Sequence, residues 1–585
     1  MKWDLTYFYA TSEDFEKDLK ELETYIEKVS LLKGKLKEKE TLKKYYYLNS
    51  EVEKKLLKIF QYASLRSDLN QKDVKNAQDL MRVYMFFNRL GEATSFIGPE
   101  LLSLDKQYIL ETLNSDSQLK QYSFGIEKLF RSKKHILDGK SEKLLSFYAP
   151  LAEKGSSLYD KLSTADKISA KVTLSTGEVT VTQGNWTVLI TDAKTEEDRK
   201  LIFEAIFKPF ADYKNTYAEI YNTLMAEELA STKARKYKNI LDSHLYRNNI
   251  PSKVYENLVS VASSRNGAVK KYLKLRKKYL GLKEYHTYDR FLELAKSNKK
   301  YSYEEGKALF FKSLEKFPKD FQDKAREVLR DGFVDVFESD GKRSGAYSSG
   351  QADTHPFILL NYTDDLDDVF TLAHEAGHSM HTLYSQQAQP TQLQDYTIFV
   401  AEIASTFNEN ILLDYLMTSA ELDKDSKIKL LQKSIDSIMS TFYRQALFAD
   451  YELRASRLFE EGNPLTYEVL SKIMKDLYQK YYGLDISKET YKEFVWAYIP
   501  HLFHSPFYVY QYATSISASL KLYQNVKEGV AGSFDRYINL LKSGGSKFPV
   551  EQAKEAGIDF LDKATFVGVA DRLNDLVNQL EQLLK

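Results

Sequence analysis

The chain has 585 residues, 43% of them hydrophobic, with 83 Lys and Arg against 83 Asp and Glu and no cysteine. That length can hold several domains or one large two-lobed body. The charge balance offers no global field to attract nucleic acid or an anionic membrane. The missing cysteines remove disulfides, thiolate ligands and a cysteine nucleophile, which leaves His, Asp and Glu to bind any metal.

The first residues, Met1 to Thr6, lack an apolar export core, and no apolar run approaches the roughly 18 residues of a membrane span. A cytoplasmic protein is therefore expected. With 11 prolines and 24 glycines, long helices are permitted almost everywhere. Residues 12–33 and 70–90 carry apolar side chains at three and four spacing, as amphipathic helices do. The charge run 35–40 reads as a solvated face or loop.

Residues 167–192 change period. Val172, Leu174, Val179, Val181, Trp186, Val188 and Ile190 alternate, with Gly177 and Gly184 at turns, which predicts a small antiparallel β meander. Thr195-Glu196-Glu197 is a capping-type helix start. A boundary near 195 then separates an N-terminal helical region, 1–195, from a region 196–585. Helical periods return over 196–237, 252–279, 427–461 and 467–482. Between them, 343–350 and 357–362 read as two short strands. An edge strand there, with Gly345, Ala346 and Tyr347, can hold an extended peptide by main-chain hydrogen bonds, or the pair is a purely structural hairpin. The fold class is mostly α with small β hairpins.

Directly after that hairpin comes Thr371-Leu372-Ala373-His374-Glu375-Ala376-Gly377-His378. On a helix the HExxH spacing puts His374 and His378 one turn apart on one face, where both imidazoles reach one zinc ion. The preceding Asp364-Asp365-Leu366-Asp367-Asp368 suits a helix start, and Leu366, Val369, Phe370 and Ala373 supply a buried stripe. A polar stretch with Pro390 leads to a second helical pattern from Tyr396 to Met417. Glu402 on it lies 24 residues past His378. Zinc hydrolases use three protein ligands and keep a fourth position open, so Glu402, set among apolar neighbours where a lone carboxylate is costly, is the third ligand. Glu409, two turns further on the same face, can orient a ligand imidazole through its second N–H. His381 can face the same side or lie on the helix surface.

A late stretch, His501 to Ser515, sets His501 and His504 beside Tyr508, Tyr510 and Tyr512. Histidine with clustered phenols offers donors to an oxyanion, although a chain with 42 tyrosines also builds aromatic clusters that are only core.

Taken together, the HEAGH sequence, the Ala401-Glu402-Ile403-Ala404-Ser405-Thr406-Phe407-Asn408-Glu409 segment and the late His/Tyr cluster resemble the thimet-type oligopeptidase family of zinc metallopeptidases, in its oligoendopeptidase F branch. Trp3, the helical N-terminal third, the hairpin and everything from Thr195 to Lys585 are similar to that branch. The resemblance implies a two-lobed helical body enclosing a deep substrate channel. It implies one Zn2+ per chain on His374, His378 and Glu402, with Glu375 as general base. It also implies short peptide substrates with no obligate protein partner. His501 and Tyr512 match the family's substrate-binding histidine and transition-state tyrosine by their surroundings. Their spacing differs from that in animal members, so Tyr508 and Tyr510 remain rivals for the tyrosine's role. The absence of cysteine departs from relatives that are thiol-sensitive. A peptidyl-dipeptidase or carboxypeptidase on a similar scaffold would use the same metal site, and a non-catalytic metal-dependent peptide binder would need it too.

Overall fold

A computed structural model of the chain describes residues 2–152, 154–296, 299–351, 353–419 and 422–585. They are mostly helical, with one two-stranded and one three-stranded sheet. Chain contacts divide them into two compact units, each assembled from three segments: Met1–Lys133, Asn298–Thr418 and Leu522–Ile558 form the first, and Lys134–Ser297, Ser419–Lys521 and Asp559–Lys585 the second. Residue 195 lies inside the second unit, where Thr195 caps a helix by accepting the Asp198 N–H at 3.0 Å.

The first unit opens with the helices Ser12–Ser30, Lys39–Leu69 and Val74–Thr94, packed on one another along apolar stripes. Its core joins Phe15, Leu22, Ile59 and Phe86 from these helices, and Phe8 ahead of them, to Phe357 and Leu359 from the sheet and to Phe333 beside it. Trp3 ties the start of the chain to that sheet: its indole N–H donates to the Ile358 carbonyl at 2.8 Å and its ring meets Phe357 edge-on. In the sheet, β3 (Val334–Asp335) runs parallel to β5 (Phe357–Leu359), and β4 (Tyr347–Ser349) runs antiparallel to β5 on the other side. The order β3-β5-β4 leaves β4 at an edge. The two strands expected before the HExxH segment are therefore present, with a third strand beside them.

The second unit carries the other sheet, β1 (Ala170–Leu174) paired with β2 (Gly177–Val181). The expected meander stops there. Its third leg is a helix, Trp186–Asp192, because Trp186 and Ile190 are buried at a spacing of four while Val188, which alternation would bury, is 60% exposed. Thr182 and Asn185 make the switch by exchanging side-chain to backbone hydrogen bonds of 2.8 and 3.2 Å. Two of the long periodic segments also divide: 196–237 into Glu196–Asp212 and Lys214–Ala234, and 252–279 into Ser252–Ser264 and Gly267–Tyr279. Arg199 and Asp289, both buried, form an ion pair of 3.0 Å within this unit. No helix among the described residues is long and apolar enough to cross a membrane.

Candidate metal centre

The HExxH helix, Leu366–Ala388, begins with a reciprocal cap. The Asp365 side chain accepts from the Asp368 backbone, and Asp368 accepts from the N–H groups of Asp365 and Thr363 at 3.1 and 2.7 Å. Leu366, Val369, Phe370 and Ala373 are buried, as their spacing predicts, and this fixes which face His374 and His378 present. The following helix, Ile398–Thr418, packs directly against it.

Gly377, inside the motif, sets how close the two helices come. A Cβ at that position would lie 2.6 Å from the Ala404 carbonyl oxygen and 2.6 Å from the Ser405 Cα. Asn408 bridges the same interface by donating to the Ala373 carbonyl at 3.3 Å. This close approach brings Glu402 to the histidines.

His374 Nε2, His378 Nε2 and Glu402 Oε2 form a nearly equilateral triangle with edges of 3.2, 3.3 and 3.3 Å. A tetrahedral zinc ion, with bonds of about 2.0–2.1 Å, spaces its ligands about 3.3–3.4 Å apart, so the three donors fit one ion. Among the described residues this is the group of His, Asp and Glu whose donor atoms converge in this way. The other imidazole nitrogen of His374 lies 2.5 Å from Glu409 Oε1, which orients the ring as the seven-residue spacing predicts. Ser405 Oγ donates to Glu402 Oε2 at 2.9 Å and steadies that carboxylate. Glu402, expected to be buried, keeps 23% of its side chain exposed, close to the 26% of His374, so the triangle faces an opening.

Charge in the site follows from this packing. Burial disfavours a charged His374, but its hydrogen bonds to Glu402 and Glu409 outweigh burial and push the imidazole well above its ordinary value. Burial also opposes ionisation of Glu402, while both imidazoles hold it far below the usual carboxylate range. The carboxylates thus recruit positive charge to the point a divalent ion would occupy. Glu375 is 6% exposed, accepts no hydrogen bond from any described residue, and is pushed upward by burial against the pull of both histidines. His381 is not on the surface, and its donor atoms are not among the three that converge. It is 1% exposed and stacks on Tyr396 with ring centres 3.6 Å apart, and burial drives its pKa down to about 3, so it stays neutral.

Strand β4 abuts the HExxH helix through a 2.7 Å hydrogen bond between Ser348 and Ser379. Gly345 has φ +83° and its carbonyl accepts from Asn361 at 2.7 Å, while Ala346 leads from it into β4. The Tyr347 phenol donates to Asp68 at 2.7 Å and its ring packs near Trp3, so what this residue leaves at the edge is backbone.

His501, Tyr508, Tyr510 and Tyr512 belong to the second unit. His501 lies 6.2 Å from both the Tyr508 and Tyr512 rings, which are 5.6 Å apart. Tyr510 is not part of this group. It is 3% exposed and packs on Tyr255 at the first residue of the helix Tyr510–Lys527, which Tyr508 precedes. Burial, and then His504, push His501 below its ordinary value. Two further residues shape the segment and carry no motif in the sequence. Phe507 has φ +56°, rare for a bulky residue, and its N–H donates at 2.7 Å to the buried carboxyl of Glu452.

Residues 189–568 match the model of peptidase family M3, and residues 100–167 match that of oligopeptidase F. Oligopeptidase PepF of Bacillus subtilis is 33% identical over 590 residues, covering 100% of this chain and 87% of its own. An oligoendopeptidase F homolog of Borreliella burgdorferi is 34% identical over 601 residues, covering 100% of this chain and 98% of its own. A crystal structure from Chlamydophila abortus superposes with a TM-score of 0.91 at 33% identity, covering 100% of this chain and 98% of that one. The crystal structure of oligoendopeptidase-F from Enterococcus faecium gives 0.76 at 26% identity, covering 98% and 99%. The converging histidines and glutamates sit within the segment that carries the M3 match, and the chain belongs to peptidase family M3, as a metalloendopeptidase.

Proposed function

We propose that the protein is a zinc-dependent oligoendopeptidase that cuts internal bonds of short, unstructured peptides in the cytoplasm, with its catalytic chemistry in residues 196–585. The observation that carries this reading is the triangle of His374, His378 and Glu402, with Glu375 buried on the same helix and accepting no hydrogen bond from any described residue. Zinc, when bound, supplies a Lewis acid that polarises a carbonyl and acidifies water. Glu375 neighbours a ligand on the same helix, about 100° round it, so it reaches a water beside the ion without being a ligand. It takes that water's proton and passes it to the leaving amine. Glu409 keeps the His374 ring in its coordinating orientation and tautomer.

His501 and Tyr512, with Tyr508 as alternate donor, stabilise the oxyanion of the tetrahedral intermediate. Their gathering on one face supports that role, whereas Tyr510 acts through the core beneath them. The backbone of Gly345, Ala346 and Tyr347 at the β4 edge pairs with an extended substrate, because an edge strand presents unpaired N–H and C=O groups to a peptide in strand conformation. A folded domain has those groups already satisfied, so unstructured peptides are the substrates.

The test is a decapeptide with an acetylated N-terminus and an amidated C-terminus, its products identified by mass spectrometry. Internal cleavage that stops with a chelator and returns with zinc is the expected result. Cleavage only when the C-terminus is free would replace this reading with a carboxypeptidase or peptidyl-dipeptidase. Efficient cutting of unfolded casein into many fragments would remove the size limit and leave the metallopeptidase.

A further inference from the structure

The second unit contains a cavity of about 490 Å³ whose lining comes entirely from that unit. It opens among the helices Gly267–Tyr279, Lys424–Ile438, Arg444–Glu460 and Tyr467–Tyr482 and the turns Thr287–Phe291 and Lys492–Phe494. None of its lining residues belongs to the metal centre or to the His501 cluster.

The cavity concentrates positive charge. Arg290, Lys433, Arg444 and Lys492 line it together with one carboxylate, Asp436, and Arg290, Arg444 and Lys492 form no ion pair with a described carboxylate. Arg290 lies over the Phe291 ring, Arg444 over Phe448, and Lys492 over Phe203, Phe207 and Tyr478. The nearby carboxylates are otherwise engaged. Asp436 accepts from the Tyr272 hydroxyl at 2.9 Å, and Glu489 accepts from the Thr287 N–H at 2.7 Å and its hydroxyl at 2.5 Å. The cations feel one another: burial and then Arg444 bring Arg290 down to about 10, and Lys492 is lowered by burial against the pull of Tyr478 and Glu489, with both arginines adding to the fall. Tyr478 is lowered despite its burial, because Lys492, Arg444 and Arg290 surround it.

Like charges gathered in a cavity, Lys492 buried and the two arginines half-buried, are held together at a cost unless something of opposite sign joins them. Three cations exceed what one carboxylate can balance, whereas phosphates carry several charges and match arginine forks two oxygens at a time. The volume lies within the range of pockets for small organic ligands and is far larger than a simple anion needs. The remaining wall is aromatic, with Tyr285, Tyr478, Tyr482 and Phe291 among its lining. We propose that this cavity binds a small organic polyphosphate, its phosphates held by Arg290, Arg444 and Lys492 and its planar group by the aromatic wall.

Calorimetry on the full-length, metal-loaded protein at constant ionic strength tests this with ATP, inorganic tripolyphosphate and adenosine. ATP should bind at least tenfold more tightly than tripolyphosphate, and adenosine should give no measurable heat. Arg290→Gln and Arg444→Gln should each weaken ATP at least tenfold while metal content stays at the parent level. Without ligand, Arg290→Gln should melt at or above the parent temperature, since it removes a repelling charge, and ATP should no longer raise its Tm. ATP binding that survives in the double variant comes from elsewhere, the metal centre included, and overturns the proposal. So does adenosine binding as tightly as ATP, or an Arg290→Gln protein that melts earlier and still responds to ATP.

Discussion

The metal centre of the first unit and the cavity of the second are both sites of unbalanced charge, with opposite sign. In the first, Glu402 and Glu409 converge on the imidazoles of His374 and His378, with Glu375 buried on the same helix, so the group calls for cations. In the second, Arg290, Arg444 and Lys492 gather about phenols, and none of the three pairs with a carboxylate among the described residues although Asp436 shares the wall, so the group calls for anions. Some other buried charges are paired within the chain, as Lys342 is to Asp335 at 2.6 Å and Arg199 to Asp289 at 3.0 Å. What sets the two sites apart is a cluster of like charges without such partners, and its sign says which kind of ligand would join it.

The sharpest way to break the comparison is to neutralise the metal centre one carboxylate at a time. Glu375→Gln should keep stoichiometric zinc and lose turnover by about a thousandfold, the scale of a lost general base, whereas Glu402→Ala should lose the metal with the activity. Elemental analysis beside a peptide assay separates the two; zinc loss in the Glu375 variant would make that residue part of the binding set. Next in size is Tyr512→Phe, for which kcat should fall about a hundredfold with little change in KM, as a donor used mainly in the transition state requires. Tyr508→Phe should be milder, and a larger loss there would exchange the two roles. Glu409→Gln, which leaves the triangle intact but weakens the hold on His374, should reduce zinc affinity about 10- to 100-fold, read by competition with a chelating dye. Unchanged affinity would reduce Glu409 to a bystander.

The two sites were not equally legible in the sequence. HExxH, the acidic cap before it and the seven-residue step from Glu402 to Glu409 are local patterns, and helical geometry turns each directly into a position on a face. The contribution of Gly377 was hidden because its reason lies on the facing helix, in the Ala404 carbonyl. The edge strand could be read from alternation, but not that the Tyr347 phenol is committed to Asp68, a contact spanning 279 positions. The third leg of the meander misled because Trp186, Val188 and Ile190 satisfy period two on paper, while tertiary packing selects Trp186 and Ile190 alone. The cationic cavity had no signature at all. Arg290, Arg444 and Lys492 come from three distant stretches, each an ordinary basic residue where it stands.

The smallest expected effect concerns Glu452, a single buried charge instead of a cluster. Its carboxyl is 2% exposed and is pushed up to about 8, first by burial, against the Phe507 N–H it accepts, with Glu228 adding to the rise. The other groups near it include Tyr221, Tyr255 and Tyr451, themselves raised by burial, so the Phe507 N–H is left to favour its charge against burial. An acid whose folded pKa lies above its unfolded value stays protonated in the fold while the unfolded chain ionises. Its contribution is therefore intact below the ordinary carboxylate value and is lost as pH rises from there to about 8, with no further loss above that. Glu452→Gln keeps an oxygen for the Phe507 N–H and cannot ionise. Relative to the parent, its Tm should gain progressively between pH 5 and pH 8 and level off beyond, with turnover changed only a few-fold, because the strained turn before Tyr508 is still held. A Tm difference that is flat across this range would show that Glu452 is ionised in the fold throughout, and a loss of turnover as large as that of Tyr512→Phe would show that the carboxyl does more than anchor the turn.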